Sequence, residues 1–192
     1  DILKITTILI FASLRKNILI AGEPGSGKTT LAATLLNLVP KHWRVIIIED
    51  VREIPNYIDR NYVKYKVEPI EIINRRFNKE QEILKLLHRS PDLILIGEIQ
   101  DESDVKALFH AFSAGLKGLA TIHATSIFEL LDRFLNSFKI DINRLKLIDV
   151  LVFMQKKITI GKNIRKVNKV YLKAAPDSVS YTHLTLPTTE RV

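Results

Sequence analysis

Eight residues, GEPGSGKT at 22–29, match the spacing Gly-x-x-x-x-Gly-Lys-Ser/Thr. The chemistry this spacing suits is the grip on a polyphosphate. Gly22, Gly25 and Gly27 let the backbone bend so that successive N–H groups face one anion. A helix starting near Lys28 adds the positive end of its dipole. Lys28 can then reach β- and γ-phosphates, and the Thr29 hydroxyl can ligate Mg²⁺. An apolar run before the loop and an amphipathic pattern after it argue against a chance glycine turn.

Carboxylates and a histidine recur at the ends of other apolar runs. IIIED (46–50) ends in Glu49 and Asp50, LILIGE (93–98) in Gly97 and Glu98, and LATIH (119–123) in His123. In a parallel sheet such tips share an edge with the phosphate loop. Glu98 can polarise an attacking water or hold Mg²⁺ through water. Glu49 and Asp50 can serve Mg²⁺ and water, the cation offsetting their mutual repulsion. His123 can hydrogen-bond a γ-phosphate and report its loss. A solvent-facing strand end is the plain alternative for Glu98 and for His123. The neighbouring phosphate loop favours the catalytic reading for Glu98. His42, His88 and His110 have no metal-ligand spacing and read as structural or exposed. NKEQ (78–81) lacks the aspartate of a guanine reader, and no Leu-Ser-Gly-Gly signature occurs.

The elements that must position these residues alternate between two periodicities. NILIAG (17–22), a run starting near Val45, LILIGE and LATIHA (119–124) read as short buried strands. KTTLAATLLNLV, EQEILKLL (80–87, stopped near Pro91) and the spacing of Val105, Leu108, Phe109 and Phe112 read as helices. Ser126 and Glu129 form a capping box before FELLDRFLNSF. VLVFMQKKITI and RKVNKVYL read as strands joined through Gly161-Lys162-Asn163. Strand, helix, strand in this order predicts an α/β fold with a mainly parallel sheet, helices on its faces and C-terminal antiparallel strands.

The chain has 192 residues, enough for one domain, and 46% of them are hydrophobic. ILKITTILIFASL (2–14), the longest apolar run, is shorter than the roughly 18–20 residues that span a bilayer, and it carries Lys4. Cysteine is absent, which excludes disulfides and thiolate metal sites. The net charge of +8 permits nucleic acid, acidic lipid or nucleotide without choosing among them. Its densest stretch, KKITIGKNIRKVNK (156–169), reads as a solvated basic face.

Together, and in this order, GEPGSGKTT, IIIEDVREIP, LLHRSPDLILIGEIQD and GLATIHATS resemble the secretion-superfamily ATPases that drive type II and type IV secretion, type IV pili and archaella. The last three stretches look like that family's acidic box, Walker B region and histidine box. The resemblance covers residues 10–172, and the ED-x-RE form looks closest to archaeal members. It implies a RecA-like P-loop domain with ATP and Mg²⁺ as cofactors. The loop residues Gly22, Glu23, Pro24, Gly25, Ser26, Gly27, Lys28, Thr29 and Thr30 would hold the nucleotide. Thr29, Asp50 and Glu98 would serve the metal. Glu49 and Glu98 would be catalytic acids, which of them activates water being open. Arg52 would act on phosphate or at a subunit boundary, and His123 falls on the box histidine.

The resemblance further implies a homo-hexamer working on an inner-membrane platform protein, at the cytoplasmic face of the membrane, with nucleic acid not expected as a partner. Gln100 stands where the family usually has Arg, and Leu116 where many members have His. These departures put intersubunit coupling in question and keep a weakly active nucleotide-binding scaffold as a rival. The other rival is a nucleic-acid-translocating ATPase using the +8 charge. The family's N-terminal domain is absent and no start Met precedes Asp1, so the chain reads as a fragment with the ATPase domain at 1–178. VSYTHLTLPT (179–188) breaks the pattern. One reading frame of a transposase adapter used in shotgun sequencing encodes these ten residues in order, so 179–192 reads as a non-native tail.

Overall fold

The computed structural model of the chain describes residues 2–49, 53–55, 59–66, 79–159, 162–175 and 179–184. The short apolar runs become strands that bury both faces, as parallel strands covered by helices must. Strands β1 (Ile18–Gly22), β2 (Val45–Glu49) and β5 (Gly118–Ile122) are buried at every position. The sheet also holds β3 (Tyr62–Lys66), β4 (Leu93–Ile99), β6 (Val150–Thr159), β7 (Lys162–Lys173) and β8 (Tyr181–His183). Their order is β3-β2-β4-β5-β1-β6-β7-β8. Pairing is parallel from β3 through to β6 and antiparallel across β6, β7 and β8. The expected α/β architecture is therefore present. β4 and β5 lie on one side of β1, and β6 and β7 on the other.

Alternation along each strand divides the core into two layers. Leu19, Ile46, Ile48, Ile94, Ile96 and Ile122 meet Val105, Leu108 and Phe109 of α4 (Glu102–Ser113) on one face. Ile18, Ile20, Ile47, Leu93, Leu95 and Leu119 meet the other face. There they pack against Leu35 and Leu36 of α2 (Lys28–Leu38) and Ile8 and Ala12 of α1 (Ile2–Ser13). The run at 2–14 thus folds as a helix with one side on the core, while Ile2, Ile5 and Ile10 stay exposed. Among the described residues no helix is long and apolar enough to cross a membrane.

Local signals hold with small shifts. The helix expected at 80–87 is α3 (Lys79–Lys85), ending in a 3₁₀ turn at Leu86–His88. The Ser126 hydroxyl accepts from Glu129 N–H at the start of α5 (Ile127–Asp132), while the Glu129 carboxylate reaches back to Thr125. That helix continues as a π turn over Arg133–Ser137. β3 escapes sequence reading because Tyr62–Lys66 is a half-exposed edge strand with lysines at 64 and 66. Of the turn expected at Gly161-Lys162-Asn163, Gly161 lies outside the described residues, while Lys162 and Asn163 belong to β7 instead, paired with Thr159 and Ile158 because the hairpin ladder runs to the end of β6. β8 falls within the stretch read as a tail. It pairs with β7, and the Tyr181 hydroxyl donates to the carbonyls of Leu145 at 2.8 Å and Ile148 at 3.0 Å. Burial, with Asp149 nearby, pushes the Tyr181 phenol above its usual range.

Candidate functional site

The loop between β1 and α2 has a shape that only its own residue types permit. A Cβ on Gly22 would lie 2.5 Å from Ser26 Oγ and 2.8 Å from the Met154 carbonyl oxygen. Gly25 and Gly27 have φ of 72° and 95°, in the left-handed region. Gly27 caps α2 with no side-chain bond to the helix's first N–H groups, leaving them to an anion. The Ser26 hydroxyl is buried beneath the loop with no hydrogen-bond partner among the described residues. Glu23 turns its carboxylate away, accepting from Lys156 N–H at 3.1 Å. Pro24, Gly25, Thr29 and Thr30 line the cleft above, a space of about 360 Å³.

Lys28 closes the cradle on itself. Its Nζ donates to the carbonyls of Gly22 at 2.9 Å and Glu23 at 3.2 Å, and lies 3.1 Å from His123 Nδ1. His123 Nδ1 also lies 3.3 Å from the Gly22 carbonyl oxygen, to which it would donate in the other tautomer. Toward the Lys28 ammonium, which only donates, Nδ1 accepts, and in that tautomer the imidazole proton sits on Nε2. That nitrogen meets Glu98 Oε1. One imidazole therefore joins the loop lysine to the acid at the tip of β4. The Arg133 guanidinium donates to the His123 carbonyl and ties this segment to the helix that follows. Burial lowers the Lys28 pKa from the ordinary 10.5, with Glu98, Glu53 and Glu23 opposing the shift.

Glu98 reaches the cleft through an irregularity in its strand. β4 pairs Ile96 with Ala120 but Glu98 with Thr121, so the register shifts at Gly97. Such a bulge re-aims the next side chain. Gly97 also packs against β2, where a Cβ would lie 3.1 Å from the Ile48 carbonyl oxygen and 3.2 Å from Glu49 Cα. Glu49, 4% exposed, borders the same cleft. One of its oxygens accepts from Glu53 N–H and Ile54 N–H, both at 3.3 Å, and the other lies 3.7 Å from Lys64 Nζ. Lys64 on β3 also donates to the Ile54 carbonyl.

The structure thus brings the loop, Glu49, Glu98 and His123 to one cleft. Asp50 and Arg52 lie outside the described residues. Gln100 borders the cleft and its N–H donates to Asp104. Leu116 is half-buried against the core. Three bordering or supporting residues were not singled out from sequence: Glu53, Lys64 and Arg165. Arg165 falls inside the stretch read as a solvated basic face.

Among the described residues no group of three His, Cys, Asp or Glu side chains is arranged to hold a metal. A magnesium–nucleotide site does not need one, because phosphates and waters supply most ligands. The glycine cradle, with Thr29 and Glu98 bordering it, fits such a pair.

The family model for Type II/IV secretion system protein matches residues 6–169. The chain is 34% identical over 121 residues to "Type IV secretion system protein VirB11" of Bartonella quintana, covering 58% of this chain and 31% of the relative. It is 30% identical over 158 residues to "Holliday junction branch migration ATPase PINA" of Sulfolobus acidocaldarius, covering 81% of this chain and 27% of that protein. The chain therefore spans about a third of these curated relatives. Among solved structures, the VirB11 ATPase from the Brucella suis type IV secretion system superposes with a TM-score of 0.74 at 24% identity. That match covers 88% of this chain and 52% of the other.

Proposed function

Because the chain belongs to the type II/IV secretion system protein family, we propose that it is the ATP-hydrolysing motor domain of a secretion, type IV pilus-like or archaellum machine. The observation that carries this is the continuous contact from Lys28 through His123 to Glu98 across the cleft. It couples the residue suited to a terminal phosphate to the acid suited to activate water.

The reaction is ATP plus water to ADP plus phosphate. Water attacks the γ-phosphorus, the bond to the β-bridging oxygen breaks, and Glu98 accepts the proton that water loses. Thr29 and Glu98 would hold Mg²⁺, which withdraws charge from the phosphate oxygens when bound. Lys28 has to leave the Gly22 and Glu23 carbonyls and His123 to meet the phosphates. Its departure frees the imidazole to turn toward the γ-phosphate and loosens its hold on Glu98. The relay thus keeps the base engaged until a nucleotide draws Lys28 away, and only a triphosphate then gives the imidazole a new partner. Glu49 acts beside Glu98 as the second acid, with Asp50 toward the metal and Arg52 toward phosphate or a neighbouring subunit.

In this reading the chain works as a homo-hexamer at the cytoplasmic face of the membrane, and hydrolysis moves a membrane platform protein. The test is phosphate release by the purified chain with and without duplex DNA, alongside Lys28→Ala. Magnesium-dependent release that the variant lacks and DNA leaves unchanged is expected. No release at any protein concentration would reject the enzyme. Strong DNA stimulation would replace the platform with nucleic acid as the load.

A further inference from the structure

The β6–β7 hairpin brings a second cation to the phosphate loop from the side away from Glu98 and His123. Arg165 borders the nucleotide cleft, and a Cβ on Gly27 would lie 3.4 Å from its Cδ and 3.8 Å from its Cβ. Its aliphatic stem therefore lies over the last loop glycine before Lys28. The placement is built, not incidental. β6 runs beside β1 with Met154 opposite Gly22, and Lys156 N–H is bonded to Glu23 of the loop. Arg165 stands directly opposite Lys156 across the two strands, on the face that meets the loop.

Two like charges directly opposed on one face destabilise a sheet unless an anion joins them. Among the described residues no acid pairs with Arg165. The strand order says which part of an anion would reach it. Glu98 on β4 and His123 after β5 lie to one side of β1 and mark the end where the γ-phosphate reacts. β6 and β7 lie to the other side, so a nucleotide seated on the loop extends its α-phosphate and nucleoside toward Arg165.

We infer that Arg165 binds the α-phosphate of the nucleotide, clamping the end that ATP and ADP share. This rests on the nucleotide reading above. A guanidinium suits the role because its planar fork meets two phosphate oxygens at once. It also makes the hairpin part of the nucleotide site, so that occupancy of the loop is felt at the far edge of the sheet.

The test is calorimetric titration of the unaltered chain, Arg165→Ala and Arg165→Lys with MgADP, MgATP and magnesium pyrophosphate. Pyrophosphate fills the β/γ cradle and has no α-phosphate. Arg165→Ala is expected to weaken ADP and ATP by the same factor, about ten-fold for one charged contact, and to leave pyrophosphate unchanged. Arg165→Lys is expected to recover part of the loss. Unchanged ADP affinity in Arg165→Ala would make the residue a surface cation and overturn the inference. So would equal weakening of pyrophosphate, or a loss confined to ATP, either of which puts Arg165 at the reacting end. If the unaltered chain binds none of the three, the nucleotide reading itself fails; if it binds all three, only the Arg165 assignment is at stake.

Discussion

Lys28 Nζ stands 3.1 Å from His123 Nδ1, although 95 residues separate them in the chain. The imidazole spends one nitrogen on the loop lysine and the other on Glu98. Either nucleotide draws Lys28 away through its β-phosphate, but only a triphosphate then offers the freed imidazole a γ-phosphate to bond. Such a difference between ligands is what biases a conformational equilibrium. His123→Ala should therefore leave ADP affinity within about three-fold while weakening ATP about ten-fold, the scale of one hydrogen bond to a charged group. Hydrolysis should slow as well. Equal weakening of ATP and ADP would make His123 a packing residue instead.

Lys28→Met removes a charge that burial disfavours in the ligand-free fold. The thermal midpoint without nucleotide should hold or rise, while the stabilisation that nucleotide confers should vanish. Because the folded Lys28 pKa is lowered, the unfolded chain holds more protons as pH approaches 10.5 from below. Stability from this group therefore rises with pH through that window. Nucleotide binding runs the other way, since phosphate favours the charged amine, and ADP affinity should fall over the same window. A binding profile flat to pH 10.5 would show that Lys28 does not meet the phosphates.

Glu98→Gln and Glu49→Gln should separate by their effect on folding. Glu98 meets the cleft at a strand tip, and its loss should slow hydrolysis by about 10²–10⁴-fold with nucleotide affinity kept. Glu49 is also the partner of Lys64 and of two backbone N–H groups. Its substitution should slow hydrolysis and in addition cost about 1–3 kcal/mol of stability. Wild-type turnover in either variant removes that residue from the catalytic set, and an unchanged melting curve for Glu49→Gln rejects its structural role.

Gly97→Ala tests the bulge. The added methyl would press on the Ile48 carbonyl at 3.1 Å and on Glu49 Cα at 3.2 Å. Overpacking of this kind costs about 1–3 kcal/mol, which should lower the melting midpoint by several degrees. Because Glu98 follows directly, turnover should fall more than ADP affinity. If turnover survives intact, the position of Glu98 does not depend on the bulge.

Deleting residues 179–192 should leave nucleotide affinity and turnover unchanged if this segment is foreign to the domain. β8 is three residues at the sheet edge, with Thr182 and His183 exposed. Loss of the Tyr181 contacts should lower the melting midpoint by a few degrees at most. Failure of the shortened chain to fold would show that the edge strand belongs to it.

The phosphate loop, the helices on the faces of a mainly parallel sheet and the order of strands and helices from β1 to β7, β3 apart, were legible from sequence, whereas 2–14 showed only as an apolar run and not as the helix α1. Each legible feature is written in residues close together: glycines at fixed offsets, apolar runs of five to seven, and the cap at Ser126. β3 was not legible, because a half-exposed edge strand carries no continuous apolar run. Sequence also marked Glu49, Glu98 and His123 as strand-end residues, since a parallel sheet must put such ends on one edge.

Sequence could not say what these side chains do to one another. The bond from Lys28 to His123 depends on β5 lying beside β1, and the aim of Glu98 depends on a register shift at Gly97. The ion pair from Glu49 to Lys64 depends on β3 adding to the edge of β2. Arg165 is one cation in a basic stretch until the β6–β7 hairpin lays it over Gly27. Local patterning determines which elements form, because propensity and burial act over a few residues. Hydrogen bonds and ion pairs require atoms within about 3–4 Å. For residues 95 or more apart in the chain, only the tertiary pairing of strands brings them that close.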